Sequence, residues 1–130
     1  MGAEEKMIHL DANYLIGAAE ASMTAKENLR TWLLQGELFA TSSIAWAEFL
    51  NGPNEEQQIE AVDELIQGRI ISFGRVEAQV AAMLFNATSR KRTSRADCLI
   101  AAAAICSKSP LATFDRKDFS IFVPLGLQMA

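Results

Sequence analysis

Four acids in the sequence stand where apolar segments begin or end. Asp11 interrupts "MIHLDANYLI", Glu48 lies in "TSSIAWAEF", Asp97 in "SRADCLIAAAA" and Asp115 in "LATFDRKDF". Burying a lone carboxylate is costly unless it is paired, hydrogen-bonded or bound to a cation. Taken singly, each acid has a structural use. Asp11, Asp97 and Asp115 precede or open helical turns, where an Asp side chain caps free backbone N–H groups. Glu48 alone fits a solvated helix residue. Taken together they fit another chemistry. Carboxylates sharing one pocket repel each other and tend to stay protonated. A divalent cation removes that conflict, and an all-oxygen donor set suits Mg²⁺ or Mn²⁺.

The elements that must bring these acids together are short strands alternating with helices. Met7 to Leu10 reads as a buried strand, followed by a helix from about Asp11. "TAKENLRTWLLQG" reads as a helix with a Thr24/Glu27 capping box and a stop at Gly36. "ELFATS" is a strand, and "SIAWAEFLNG" a short helix ending at Asn51, Gly52 and Pro53. Ile59, Val62, Leu65 and Ile66 recur at helical spacing in "EEQQIEAVDELIQG". "RIISF" is a strand and "GRVEAQVAAMLFNATSR" an Ala-rich helix. "RADCLIAAAAICSKS" is apolar on nearly all sides and should be a central, buried helix. "PLATF" is a strand, "DRKDF" a turn, and "SIFVPLG" a last strand whose Pro124 points to a sheet edge. The alternation implies a parallel sheet with helices on both faces. Sites in such folds lie at the carboxyl ends of the strands, which is where Asp11 stands.

Composition narrows the function. The chain has 130 residues, half of them apolar, which suits one compact domain with a real core. No apolar run approaches the roughly 18 residues of a membrane span. The start "MGAEEKM" has no signal-peptide pattern, so a cytoplasmic location is expected. Residues 1–6 are expected to be a disordered leader or expression remnant, with Met7 as a natural start and 7–130 as a single domain. Cys98 and Cys106, on one helix, would be about 12 Å apart along its axis, too far for a disulfide. They read as buried thiols, and no histidines stand at zinc-binding spacing from them. A single histidine, His9, makes a Ser-His-Asp triad improbable, and its place inside a strand makes it a core residue. The net charge of −4 is the wrong sign for a general nucleic-acid binder. The exception is "SRKRTSR", which holds Arg90, Lys91, Arg92 and Arg95 and no acid. It reads either as a solvated loop or as a phosphate-binding rim beside Asp97. Tyr14, Trp32, Phe39 and Trp46 are spread over different elements and are expected to pack rather than stack on bases.

With these residues in view, the chain resembles the PIN-domain ribonucleases, and most closely the VapC toxins of toxin–antitoxin pairs. The resemblance runs from Met7 to about Leu125. "IHLDANYLI" resembles the family's opening strand and Asp, "TSSIAWAEFL" the segment ending in its Glu, and "SRADCLIAAAA" its third acid on an Ala-rich helix. "LATFDRKDF" resembles its closing Thr-x-x-x-x-Asp-Phe segment. The position after Asp11 is Ala12, where the family often has Thr.

The resemblance implies a PIN-like three-layer α/β/α sandwich with a mostly parallel central sheet. It implies a catalytic acid set of Asp11, Glu48, Asp97 and Asp115, with Asp11, Asp97 and Asp115 as metal ligands. Asp118, one helical turn after Asp115, is the rival fourth acid. Asn13 and Thr113 would support the acids. The implied activity is Mg²⁺- or Mn²⁺-dependent endoribonuclease cleavage by a metal-activated water. Arg90, Lys91, Arg92 and Arg95 would hold RNA phosphates. The implied partners are RNA, a cognate antitoxin and a second copy of the chain, the antitoxin groove coming from helices of the first half. A stand-alone RNA-processing nuclease, and a PIN fold that only binds RNA or a protein, are the alternatives. A receiver domain is excluded by the single acid of "HLDAN" and the lack of one after "RIISF". A dinucleotide-binding module is excluded by the absence of a Gly-rich turn in "LDANYLIG".

Overall fold

A computed structural model describes residues 7–88, 90 and 94–130. The expected leader at 1–6, together with Lys91 and Arg92, lies outside the described residues. Four strands form one parallel sheet in the order β3-β2-β1-β4: β1 (Met7–Leu10), β2 (Leu38–Ser42), β3 (Ile70–Ile71) and β4 (Leu111–Ala112). Met7 pairs with Leu38 and His9 with Ala40 on one side of β1, while Leu10 pairs with Ala112 on the other. The strands carry buried Ile8, Leu10, Phe39 and Leu111, as their apolar sequences require.

Each crossover between strands carries two helices. These are α1 (Ala12–Ala19) and α2 (Met23–Leu34), α3 (Ser43–Leu50) and α4 (Glu56–Ile66), and α5 (Arg75–Ala87) and α6 (Arg95–Cys106). The chain runs outward from β1 through β2 to β3, then returns to the far side of β1 as β4. With right-handed crossovers, that reversal puts the last helix pair on the opposite face. The result is the three-layer α/β/α arrangement expected, and the reversal leaves a crevice between the carboxyl ends of β1 and β4. Among the described residues no helix is long and apolar enough to cross a membrane.

Two close approaches set the helix packing. Ala101, Ala102, Ala103 and Ala104 are buried on α6, so this helix is central as its sequence implied. Small side chains let it lie close to its neighbours. Gly17 on α1 faces α2 so closely that a Cβ there would stand 2.8 Å from Cβ of Ala25. Cys98 is buried, whereas Cys106 is only half-buried, and both are free thiols.

Four local expectations are corrected. Helix α2 begins at Met23 and its cap is Ser22, whose Oγ accepts from the Ala25 N–H at 3.5 Å; Thr24 lies inside the helix. "DRKDF" is not a bare turn but a one-turn helix, α7 (Arg116–Phe119). "RIISF" and "PLATF" contribute only two strand residues each. "SIFVPLG" is not a strand but a 3-10 helix, Ser120–Leu125. The reason is periodicity. Phe119 and Phe122 are buried while Ile121 and Val123 are about half exposed, a spacing of three that matches three residues per turn. The sheet edge beside β4 is taken by the chain's end instead. The Leu111 N–H donates to the Gln128 carbonyl (2.9 Å) and the Ala130 N–H to the Leu111 carbonyl (2.8 Å).

Candidate active site

Asp11 follows the last residue of β1 and caps α1, so the strand end and the helix start fix its position together. It is only 5% exposed. Its Oδ1 accepts from the Ala12 N–H and its Oδ2 from the Thr113 hydroxyl, both at 2.7 Å. Burial raises its pKa, and the charge of Asp115 adds to the rise. The bonds from Thr113 and Ala12 act in the opposite direction. The capping function of Asp11 is therefore real, but it uses one oxygen and leaves the carboxylate poorly solvated.

Thr113 follows β4 as Asp11 follows β1, so the two meet where the strand order reverses. Its hydroxyl donates to Asp11, accepts from the Asp115 N–H (3.0 Å) and accepts from Asn13 Nδ2 (3.3 Å). One donor and two acceptor positions are all a hydroxyl has. Asn13 completes the staple. Its Nδ2 also donates to Asp115 Oδ2, and its Oδ1 accepts from the Phe114 N–H, each at 3.3 Å. The start of α1 is thus tied side chain by side chain to the loop after β4.

Asp97 lies in the first turn of α6, half-buried. A helix N-terminus favours a carboxylate, yet the Asp97 pKa is pushed up to about 6. Burial is the largest cause, followed by the charges of Asp11, Asp118, Asp115 and Glu48. Glu48, on the exposed side of α3, is also raised, by partial burial and then by Asp11. Five carboxylates from four helices and strand ends therefore act on one another, with Asp97 among them all. Asp115 is anchored by Asn13 and Thr113, whereas Asp118 acts more strongly on Asp97. Both stand at the cluster, so the sequence's two options for the fourth acid are both placed there.

Among the described residues, no three His, Cys, Asp or Glu side chains are gathered into a ready-made metal-binding group. The acids feel each other's charge without converging to ligand distance. In donor chemistry they fit a hard divalent cation: all oxygens, mutually repelling, with no soft ligand among them.

Residues 8–122 match the PIN domain family. The chain belongs to the PIN domain family. The fold comparison agrees. The PIN domain is similar to a chain of VapBC2 from Rickettsia felis, solved bound to a promoter DNA fragment, with a TM-score of 0.72 at 21% identity. That match covers 95% of this chain and 97% of the other. It is similar to a chain of FitAcB from Neisseria gonorrhoeae, with a TM-score of 0.69, 22% identity, and 95% and 96% covered. A toxin–antitoxin complex from Klebsiella pneumoniae gives a TM-score of 0.70 at 25% identity, with 89% and 91% covered. A search of curated proteins finds no match.

Around the acids of this PIN domain, the basic stretch is described only at its ends. Arg90 and Arg95 are exposed, and their guanidinium groups lie over the Phe85 ring, 5.8 and 5.6 Å from its centroid. Arg95 is two residues before Asp97. His9 is buried, its pKa is lowered by burial to about 4, and its Nε2 has no hydrogen-bond partner among the described residues. It is a neutral core residue, as its strand position implied.

The aromatic residues hold a feature the sequence did not reveal. Tyr14, Trp32 and Phe39 do pack as a core chain, with centroids 5.7 and 6.3 Å apart, and Trp46 packs separately on Phe49. Phe114, a hundred residues after Tyr14, stacks flat on it, with centroids 4.1 Å apart and planes 8° from parallel. Its place between Thr113 and Asp115 is the signal that could have drawn attention to it.

Proposed function

We propose that this PIN domain is a metal-dependent endoribonuclease, the toxin of a toxin–antitoxin pair, acting in the cytoplasm. The observation that carries the reading is Asp97, a half-buried carboxyl group whose pKa is pushed up to about 6 by burial and by the charges of four other acids. Such repulsion is costly to maintain without a cation to offset it. Asp11, Asp97 and Asp115 would hold Mg²⁺ or Mn²⁺, with Glu48 and Asp118 beside them. When bound, the ion supplies a water of lowered pKa and neutralises charge on the phosphate.

The chain's own residues do the positioning. Thr113 orients Asp11 and Asn13 fixes Asp115, so the acids keep their places while RNA enters and leaves. Arg90 and Arg95, with Lys91 and Arg92 of the same stretch, bind backbone phosphates that the acids alone would repel. No histidine is required, consistent with the burial of His9.

An antitoxin would bind the cleft of about 580 Å³ between α1, α2 and α4, lined by Met23, Leu29, Leu33, Val62 and Leu65. Met23 and Leu33 are 76% and 51% exposed, an apolar strip suited to an amphipathic helix. The similar solved chains come from toxin–antitoxin complexes, which supports the same assignment, and a homodimeric state belongs to the same proposal. The spread of the carboxylates favours one other reading, a PIN fold that binds RNA without cutting it.

Expression in a bacterial host separates the two. The intact chain should arrest growth and degrade RNA, and Asp97→Asn should do neither. Equal growth with both chains contradicts the toxin reading.

A further inference from the structure

Phe114 is 42% exposed although it belongs to the loop that carries Thr113 and Asp115. Its neighbours turn their polar atoms to the acid cluster. Thr113 bonds Asp11, and Asp115 is bonded by Asn13. Phe114 turns the other way and lies on Tyr14. Tyr14 is itself only 4% exposed and immobilised, its hydroxyl accepting from Asn28 Nδ2 at 2.8 Å. The Phe114 ring edge rests over Gly17, where a Cβ would come to 3.9 Å from Cε2. The Phe114 backbone is held as well, by Asn13 Oδ1. One ring face is covered by Tyr14, so the exposure belongs to the opposite face and the rim. The outcome is a flat apolar surface on a rigid aromatic stack, one residue from an acid of the cluster.

We infer that Phe114 is a base-stacking residue, positioning a nucleobase of single-stranded RNA beside the phosphate held at the acids. The inference rests on the ribonuclease reading above and adds how the substrate is oriented. Stacking fits this surface because every base has a π-face, so an aromatic ring can seat one without reading its identity. A bound protein segment would also cover an exposed ring. Phe114, however, does not line the apolar cleft between α1, α2 and α4, where the residues suited to a helix are gathered. Its backbone is instead locked to Asn13 and the acid-bearing loop.

The test uses labelled 12-residue oligoadenylate RNA and an abasic oligonucleotide of the same length, with Ca²⁺ in place of Mn²⁺ so that the strand stays uncut, followed by fluorescence anisotropy. Phe114→Leu keeps apolar bulk and removes the π-face. It should weaken oligoadenylate binding by about tenfold, within the range of one lost base–aromatic contact. Abasic binding should not change. Phe114→Trp should restore oligoadenylate binding, and the added indole fluorescence should be quenched by adenine but not by the abasic strand. That quenching decides the matter even if Phe114→Leu does not fold. Equal oligoadenylate binding by the parent and Phe114→Leu overturns the inference while leaving the ribonuclease reading standing. So does an indole signal of Phe114→Trp that stays unquenched on bound RNA. A parent protein that binds neither strand overturns both. A Phe114→Leu protein that keeps RNA binding but loses a co-expressed protein partner assigns the ring to protein docking instead.

Discussion

The Thr113 hydroxyl donates to Asp11 Oδ2 at 2.7 Å, joining the residue after β4 to the residue after β1. Each is the first residue beyond its strand, and the two strands are neighbours only because the chain doubles back across the sheet. Replacing Thr113 with Val should therefore disturb both fold and site. It removes one of two bonds to a buried carboxylate and orphans the Asp115 N–H. The expected loss is about 1–3 kcal/mol in urea denaturation at pH 7. Mn²⁺ affinity should fall roughly 10–100-fold, the usual consequence of losing a group that orients a ligand. Thr113→Ser, which keeps the hydroxyl, should stay near the parent in both measurements. A Val variant indistinguishable from the parent would mean the hydroxyl organises nothing.

Asp97→Asn should separate stability from activity. Without added metal it removes a charge repelled by four neighbours, so the thermal midpoint should rise by a few degrees. Mn²⁺ binding by calorimetry, and RNA cleavage, should both be lost. A variant that melts lower than the parent in EDTA would show that Asp97 is held by favourable contacts rather than by repulsion.

Two groups give the metal-free protein opposing pH dependences. Asp97 has a folded pKa of about 6, above its unfolded value of 3.8, so the folded state binds the extra proton. Its contribution is present below pH 4 and is lost as pH rises through 6. His9 is the reverse, about 4 when folded against 6.5 when unfolded. Its contribution is present above pH 6.5 and is lost as pH falls toward 4, by about 2 kcal/mol between pH 7 and pH 5. Denaturation curves of His9→Leu should therefore lose less stability than the parent over that interval. Protons should also compete with Mn²⁺ at Asp97, so metal affinity should drop as pH is taken below 6. A flat affinity between pH 5 and pH 7 would remove Asp97 from the metal site.

The arginines make a prediction about salt. Replacing both Arg90 and Arg95 with Ala should weaken single-stranded RNA binding and lower the slope of log affinity against log salt by about 1.4, two phosphate contacts at about 0.7 each. An unchanged slope would leave the pair as a cationic cover on Phe85, where both guanidinium groups lie.

Much of this site was legible in the sequence because its acids sit at the junctions between elements. Asp11, Glu48, Asp97 and Asp115 each mark the place where an apolar strand or helix begins or ends, and a parallel sheet brings such places together. Helix α6 was equally legible, since "CLIAAAAIC" has no polar face. What was hidden depended on contacts between distant residues or on competition between nearby ones. The cap of α2 went to Ser22 rather than Thr24, though both are good capping residues one turn from a suitable N–H. "SIFVPLG" carries a short run of apolar residues that reads as a strand, but burial of Phe119 and Phe122 at a spacing of three decided its conformation. The stack of Phe114 on Tyr14 joins two motifs that sequence reading treated separately, and the loop tied to Asn13 brings them into contact.

The most direct test of the central claim, that these acids form a metal-dependent RNA-cutting centre, is cleavage of a mixed RNA pool by the purified protein freed of any partner. It should be run with Mn²⁺ or Mg²⁺, with EDTA, and with Asp11→Asn prepared identically. Cutting is expected with either metal and should vanish both in EDTA and in the variant. Cutting that persists in Asp11→Asn, or no cutting by a folded protein that binds Mn²⁺ and RNA, would contradict it.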